Sequence, residues 1–302
     1  MRVWLNKKIF IKKIIKSELK KLGPKKKFPK FEFFDHHYSH AAASFYPSPF
    51  KEAAILCMDG VGEWTTTSAW IGKDNHIEKI WEINFPDSLG LLYSAFTSFC
   101  GFRVNSGEYK LMGLAPYGDP IYANLIKKEL INVREDGSFK LNLEYFSFYY
   151  DFKMTNEKFN NLFNISPREP ESKITQNYMD IAASIQEVTT EIVSKLAQSL
   201  KNETGLNNLC LSGGVALNCV ANGNLATSKS FNDIWIQPAS GDAGSSIGAA
   251  LSTFYTTLKN KREIKTSDSM QGSYLGCSYS SETITASLIK TKLKYEKLAD
   301  NS

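Results

Sequence analysis

Histidine is scarce in this 302-residue chain, with four residues in all, and cysteine is little commoner, with five. Cys57, Cys100, Cys210, Cys219 and Cys277 are scattered, odd in number and without a CxxC spacing. That pattern excludes a disulfide framework and a zinc–thiolate site, and it points to a reducing, cytoplasmic setting. Long apolar runs are missing too, as is a small-residue cleavage pattern, which argues against a membrane-spanning helix and a signal peptide. Neither a Walker A loop nor a GxGxxG fingerprint occurs, so the P-loop and dinucleotide-binding folds are not indicated.

What is present can build a substantial core, since 42% of the residues are hydrophobic. The formal charge of +5 is misleading, because residues 1–31 hold 12 Lys and Arg against one acid, Glu18, leaving a body of about −6. That basic stretch places Ile11, Ile15, Leu19 and Leu22 at helical spacing, which predicts an amphipathic helix over 1–31 docked on a body spanning 32–302. A membrane-surface or nucleic-acid arm is the competing reading, and neither partner is expected.

Along the body, AAILCMDG, TTTSAWIG and HIEKIWEI read as three strands of a meander, followed by a helix over 88–99. KLNLEYF suggests a further strand, and the polar run from 160 to 170 an irregular insertion. The apolar stripe Met179, Ile181, Ala182, Ile185, Val188, Ile192, Leu196 and Leu200 predicts the longest helix, over 174–201. Strand and helix then alternate through NLCLSGG, VALNCVANGNLAT, DIWIQP and DAGSSIGAALSTFYTTL, with glycines at the strand-to-helix turns: an α/β arrangement. A polar linker over 260–272 and a helix over 281–293 complete the reading.

Three of the four histidines, His36, His37 and His40, fall in FFDHHYSHAAASFY. On a helix, His36 and His40 lie one turn apart on one face and can converge on a metal, while His37 points elsewhere. The HExxH of metalloproteases is not matched, because position 37 is not glutamate. Carboxylates must complete such a site. Asp59 ends the strand AILCMD, and Asp242 follows DIWIQP at a helix start, where a helix N-cap is the alternative role. A set of two imidazoles and two carboxylates suits iron, manganese or zinc, and its oxygens admit magnesium.

Glycine turns suggest an anion. In DGVGEWTTTS, Gly60 and Gly62 let backbone N–H groups approach a phosphate, with Thr65 as a further donor, and Gly213 and Gly214 in LSGGVALN repeat the device at a helix start. Each turn also has a packing explanation.

The blocks HHYSHAAASFY, MDGVGEW, SGEYKLMGLAPYG, LCLSGGVALNCVANG and IWIQPASGDAG, in this order, resemble the O-carbamoyltransferases of antibiotic and nodulation-factor biosynthesis, from about residue 34 to 293. The resemblance implies an α/β, actin-like ATPase fold of the sugar-kinase, Hsp70-like and ribonuclease H-like class, shared with the enzyme that makes threonylcarbamoyladenosine in tRNA. It implies His36, His40, Asp59 and Asp242 as ligands of a divalent metal. It also implies that carbamoyl phosphate and ATP give carbamoyl-adenylate, whose carbamoyl group passes to a hydroxyl of a small-molecule acceptor. Asn218 and Asn222 would then join the glycines around the nucleotide, and Glu108 and Lys110 would orient substrate, with a structural ion pair as the alternative.

Members of that family usually carry a further N-terminal stretch and a C-terminal carbamoyl-adenylate-forming domain. The expectation is therefore a partial actin-like domain that needs these segments, supplied in one reading by a separate chain. Two other functions stay open at this stage: a tRNA threonylcarbamoyl transferase subunit, and a nucleotide-binding remnant without turnover.

Overall fold

The computed structural model describes residues 8–23, 28 and 30–298; the remainder of the basic N-terminal stretch lies outside the described residues. Helix α1 (Ile11–Lys21) forms as its stripe predicts. None of its residues is fully buried: Ile14, Ile15 and Leu19 are partly covered, and Ile11 is 45% exposed. An apolar stripe records that a helix has a face to cover without naming what covers it.

The body is built on a mixed five-stranded sheet. Its order is β3 (His76–Asn84), β2 (Thr65–Lys73), β1 (Glu52–Met58), β6 (Asn208–Ser212), β7 (Asp233–Ile236). β1 to β3 form the predicted antiparallel meander, while β6 joins β1 in parallel and β7 joins β6 in parallel. This mixed α/β sheet agrees with the actin-like class. A two-stranded ribbon, β4 (Ile131–Val133) with β5 (Phe139–Leu141), stands apart from it. KLNLEYF thus supplies only the short β5 before turning into 3₁₀ helix at Leu143–Tyr145.

β1 shows why the sheet sits centrally. Its residues from Ala53 to Met58 are all fully buried, so it reads as an apolar run rather than an alternation. Ala54, Leu56 and Met58 face a core shared with α3 (Leu89–Phe99) and α5 (Gln176–Thr204). Ala53, Ile55 and Cys57 face the other way, toward α2 (His36–Phe45). Burying Leu56 on one face and Ile55 on the other is worth roughly 1.5–3 kcal/mol each.

Two local features depart from the sequence reading. The polar run near 160 contains a short helix, Glu157–Phe163, whose N-cap Asn156 accepts from the N–H groups of Lys158 and Phe159 and whose Phe159 and Phe163 pack under α3. The predicted linker over 260–272 hides a buried cation. The Arg262 guanidinium lies 4.3 Å from the Phe45 ring centroid and donates to the carbonyls of Phe45 (2.8 Å), Tyr46 (3.1 Å) and Ser48 (2.9 Å). These carbonyls belong to the end of α2, where the helix dipole favours positive charge.

Among the described residues no helix is long and apolar enough to cross a membrane.

Candidate metal centre and adjoining cavity

The site gathers at the carboxyl ends of β1, β6 and β7, where open α/β sheets commonly bind their ligands. Asp59 follows β1, the Gly213–Gly214 turn follows β6, and α7 (Asp242–Ser252) starts six residues after β7 ends. The histidines arrive from α2, which runs behind these ends and is packed so closely that Ala41, Ala42 and Ala43 are fully buried. Alanine and serine are the residues that allow such an approach. Gln237, beyond β7, donates from Nε2 to the Ala43 carbonyl and fixes α2 to the sheet.

His36, His40, Asp59 and Asp242 present their ligand atoms within 4.8 Å of one another. Nε2 of His36 lies 3.0 Å from Nε2 of His40 and 3.0 Å from Asp59 Oδ2. Asp242 Oδ1 stands 3.4 Å from His36 Nε2 and 3.6 Å from His40 Nε2, and Asp59 Oδ2 is 3.6 Å from His40 Nε2. An ion held at the ~2.0–2.2 Å of nitrogen and oxygen ligands separates neighbouring donor atoms by roughly 3.0–3.5 Å. The donor set therefore fits a divalent metal in both spacing and chemistry. Two imidazole nitrogens that face each other at hydrogen-bond distance also share one proton at best, whereas a metal accepts both lone pairs.

The electrostatics agree. Burial pushes the Asp59 carboxyl up, but the hydrogen bond from His36 and the nearby His40 imidazole, with a further hydrogen bond from the Gly214 N–H at 3.1 Å, outweigh it and hold the group well below the ordinary carboxylate range. The hydrogen bond to Asp59 raises the pKa of His36. His37 behaves differently: burial lowers it to about 4, and its Nδ1 is paired with Ser68 Oγ at 2.7 Å. It stays neutral and packs against the sheet, as its position off the shared helix face predicts.

The supports around the cluster include one that the sequence reading missed. Glu63, in the turn after β1, accepts from the backbone N–H of His36 through both carboxylate oxygens at 3.1 and 3.2 Å, and so caps the histidine helix. The only sequence signal for it was its place in the turn that also holds Asp59. Asp242 is the first residue of α7 and Gly241 is the N-cap; the Asp242 side chain is 73% exposed and turned to the cluster.

A cavity of about 770 Å³ opens beside the cluster. Asp59, Gly60, Glu108, Gly214, Asn218 and Asp242 all line it. The other residues singled out from the sequence lie elsewhere. Gly62 packs under His36, where a Cβ would come within 3.0 Å of the ring. Gly213 adopts φ +89° beneath the Met58 carbonyl, which a Cβ would meet at 2.2 Å, so its role is the turn itself. Thr65 donates to Glu82 at 3.1 Å, and Asn222 to the Ala216 carbonyl at 2.8 Å. Glu108 is tied down by Ser94 Oγ and the N–H groups of Asn105 and Gly107, while Lys110, on α4 (Glu108–Leu114), is exposed. In the cavity wall Tyr93 donates to Gln186, and Gln186 and Asn218 exchange a pair of amide hydrogen bonds at 3.0 Å.

Fold and site together define a mixed α/β protein with a two-histidine, two-aspartate metal-type cluster at the mouth of a ligand-sized cavity. Residues 1–251 match the model of the carbamoyltransferase N-terminus family, and the chain belongs to that family. It is 55% identical over 286 residues to the uncharacterized protein sll1178 of Synechocystis, covering 94% of this chain and 46% of the relative. To nodulation protein NolNO of Sinorhizobium fredii it is 34% identical over 222 residues, covering 74% and 31%. To NolO of Bradyrhizobium diazoefficiens it is 34% identical over 219 residues, covering 72% and 37%. The chain thus spans less than half the length of these curated relatives. Among solved structures, full-length HypF in its phosphate- and nucleotide-bound form is 14% identical with a TM-score of 0.46, covering 75% of this chain and 43% of that one.

Proposed function

We propose that this chain forms the acceptor-carbamoylating part of a metal- and ATP-dependent O-carbamoyltransferase. The carbamoyl group comes from carbamoyl-adenylate, made from carbamoyl phosphate and ATP elsewhere in the enzyme or on a separate chain, and passes to a hydroxyl of a small-molecule acceptor. The observation that carries the reading is the convergence of His36, His40, Asp59 and Asp242 on one point at the end of a cavity large enough for a nucleotide, in a chain of this family.

The four side chains would hold the ion. When bound, a divalent metal supplies positive charge that neutralises a phosphate and polarises a carbonyl. The chain's own residues do the rest. Gly214, against Asp59 and without a side chain, leaves room at the cluster for the phosphate. Gly60 and Gly214 bring backbone to the cavity wall without bulk, and the Tyr93–Gln186–Asn218 network gives that wall a fixed shape.

The test is a thermal-shift titration with AMP, with and without manganese. AMP should raise the melting temperature only when manganese is present, and a chelator should abolish the effect. A shift of equal size after chelation would overturn the reading.

A further inference from the structure

Helix α1 supplies nothing to the metal-type cluster or the cavity, yet its surface has a marked chemistry. Lys12, Lys13, Lys16, Lys20 and Lys21 are all exposed on it, and its one acid, Glu18, is neutralised by Lys21 at 2.8 Å. The apolar stripe is sheltered only in its middle. Ile14, Ile15 and Leu19 are partly covered, whereas Ile11 and the C-cap residue Leu22, on the same stripe, stand open at its two ends, Leu22 being 80% exposed. Ile9 and Phe10, in the 3₁₀ turn that leads into the helix, and Phe33 beyond it are each more than half exposed. Bulky apolar side chains left in water at several positions of one segment mark an interaction surface. Charge is segregated in the same way: residues 1–31 carry 12 Lys and Arg against one acid, while the rest of the chain carries 24 against 30.

We propose that α1 is a docking surface for an anionic lipid bilayer, lying in the plane of the interface with Ile11 and Leu22 turned into it. This reverses the expectation that the helix simply docks on the body, because its stripe stays open at both ends. Two complementarities identify the occupant. The lysines match negatively charged headgroups, and the aliphatic stripe matches the boundary between headgroups and acyl chains, where basic amphipathic helices settle. Lysine stems can lie along that boundary while their ammonium groups stay in water. RNA satisfies only the charge. It would leave Ile11 and Leu22 in water, and the exposed cations of the helix are all lysines, without the planar fork by which arginine grips phosphates and bases. The acidic remainder of the chain is repelled by the same headgroups, so attraction is confined to this segment and sets which side of the molecule meets the membrane.

The test is co-sedimentation of the full 302-residue chain with unilamellar vesicles of phosphatidylcholine alone or with about 30% phosphatidylglycerol. Affinity for the anionic vesicles should be about tenfold higher or more, and raising the salt from about 0.05 to about 0.5 M should lower it severalfold. Two variants separate the two faces of the helix. Lys12→Glu combined with Lys16→Glu and Lys20→Glu should weaken binding about tenfold or more, and Ile11→Asp combined with Leu22→Asp should do the same. Neither should shift the melting temperature or manganese binding, because all five side chains are exposed. Undiminished binding of the aspartate pair, equal affinity for neutral and anionic vesicles, or displacement from anionic vesicles by a short single-stranded RNA overturns the proposal. Should the aspartate pair not fold, Ile11→Ser with Leu22→Ser puts the same question to the stripe. The assay contains neither metal nor nucleotide, so its outcome is independent of the carbamoyl-transfer reading.

Discussion

Gly248 on α7 lies against the Ser39 carbonyl of α2 so closely that a Cβ added to it would stand 1.8 Å from that oxygen. The same Cβ would be 2.7 Å from the Ala43 nitrogen, and both atoms are helix backbone that cannot give way. Because α2 carries His36 and His40 while α7 carries Asp242, this contact sets the gap across the cluster. Gly248→Ala should cost about 1–3 kcal/mol or more by overpacking, and it should weaken manganese binding. Gly223→Ala, on α6 (Cys219–Ser228), is the control: a Cβ there meets nothing within 4 Å, and α6 should gain about 0.5–1 kcal/mol. Chemical denaturation and a metal titration check both.

His36→Ala should lose most bound divalent metal, because it removes a donor that stands within 3.0–3.4 Å of three others. His37→Ala should keep it, although the loss of a buried side chain should lower stability by about 1–3 kcal/mol. Metal content after dialysis, measured by mass spectrometry, separates the two; equal retention would remove His36 from the ligand set.

Arg262→Lys is expected to be far from conservative. Lysine keeps the charge but cannot reproduce the planar fork that reaches the Phe45, Tyr46 and Ser48 carbonyls. The expected loss is about 2 kcal/mol or more, read as a lower midpoint in urea. Because the bonds end α2, backbone amides of that helix should also exchange faster with deuterium.

Cysteine labelling offers an independent check. Cys57, Cys100 and Cys210 are buried, and burial pushes the thiols of Cys100 and Cys210 up to about 12. Cys219 and Cys277 are exposed. Iodoacetamide at pH 8 should modify these two in the native protein and all five only after unfolding, as peptide mapping would show.

Much of this was legible in the chain. The three-strand meander, the long helix and the two later strands follow from period and from turn residues, and the candidate donor cluster from an i, i+4 histidine pair joined to aspartates after strands. What stayed hidden depends on tertiary contact. Glu63 has no pattern of its own and acquires a role only because the turn after β1 folds over the start of α2. Arg262 sits in a polar stretch whose composition reads as linker, and its acceptors are backbone carbonyls, which no sequence displays. The glycines near the site look alike in sequence, yet Gly214 and Gly60 line the cavity while Gly213 and Gly62 serve the chain's own geometry.

The two histidines and Asp242 are separated by some two hundred positions, and Asp59 reaches them only through a strand that pairs in parallel with β6. No local segment of the chain can assemble this constellation. It comes into being when the long-range β1–β6 ladder has closed and α7 has settled on α2, contacts that are slow to form because the intervening chain must be looped out first. The appearance of the cluster during refolding is therefore a clock for the last stage of structure formation. A metal-sensitive signal should lag behind the helical circular dichroism that α5 can develop early.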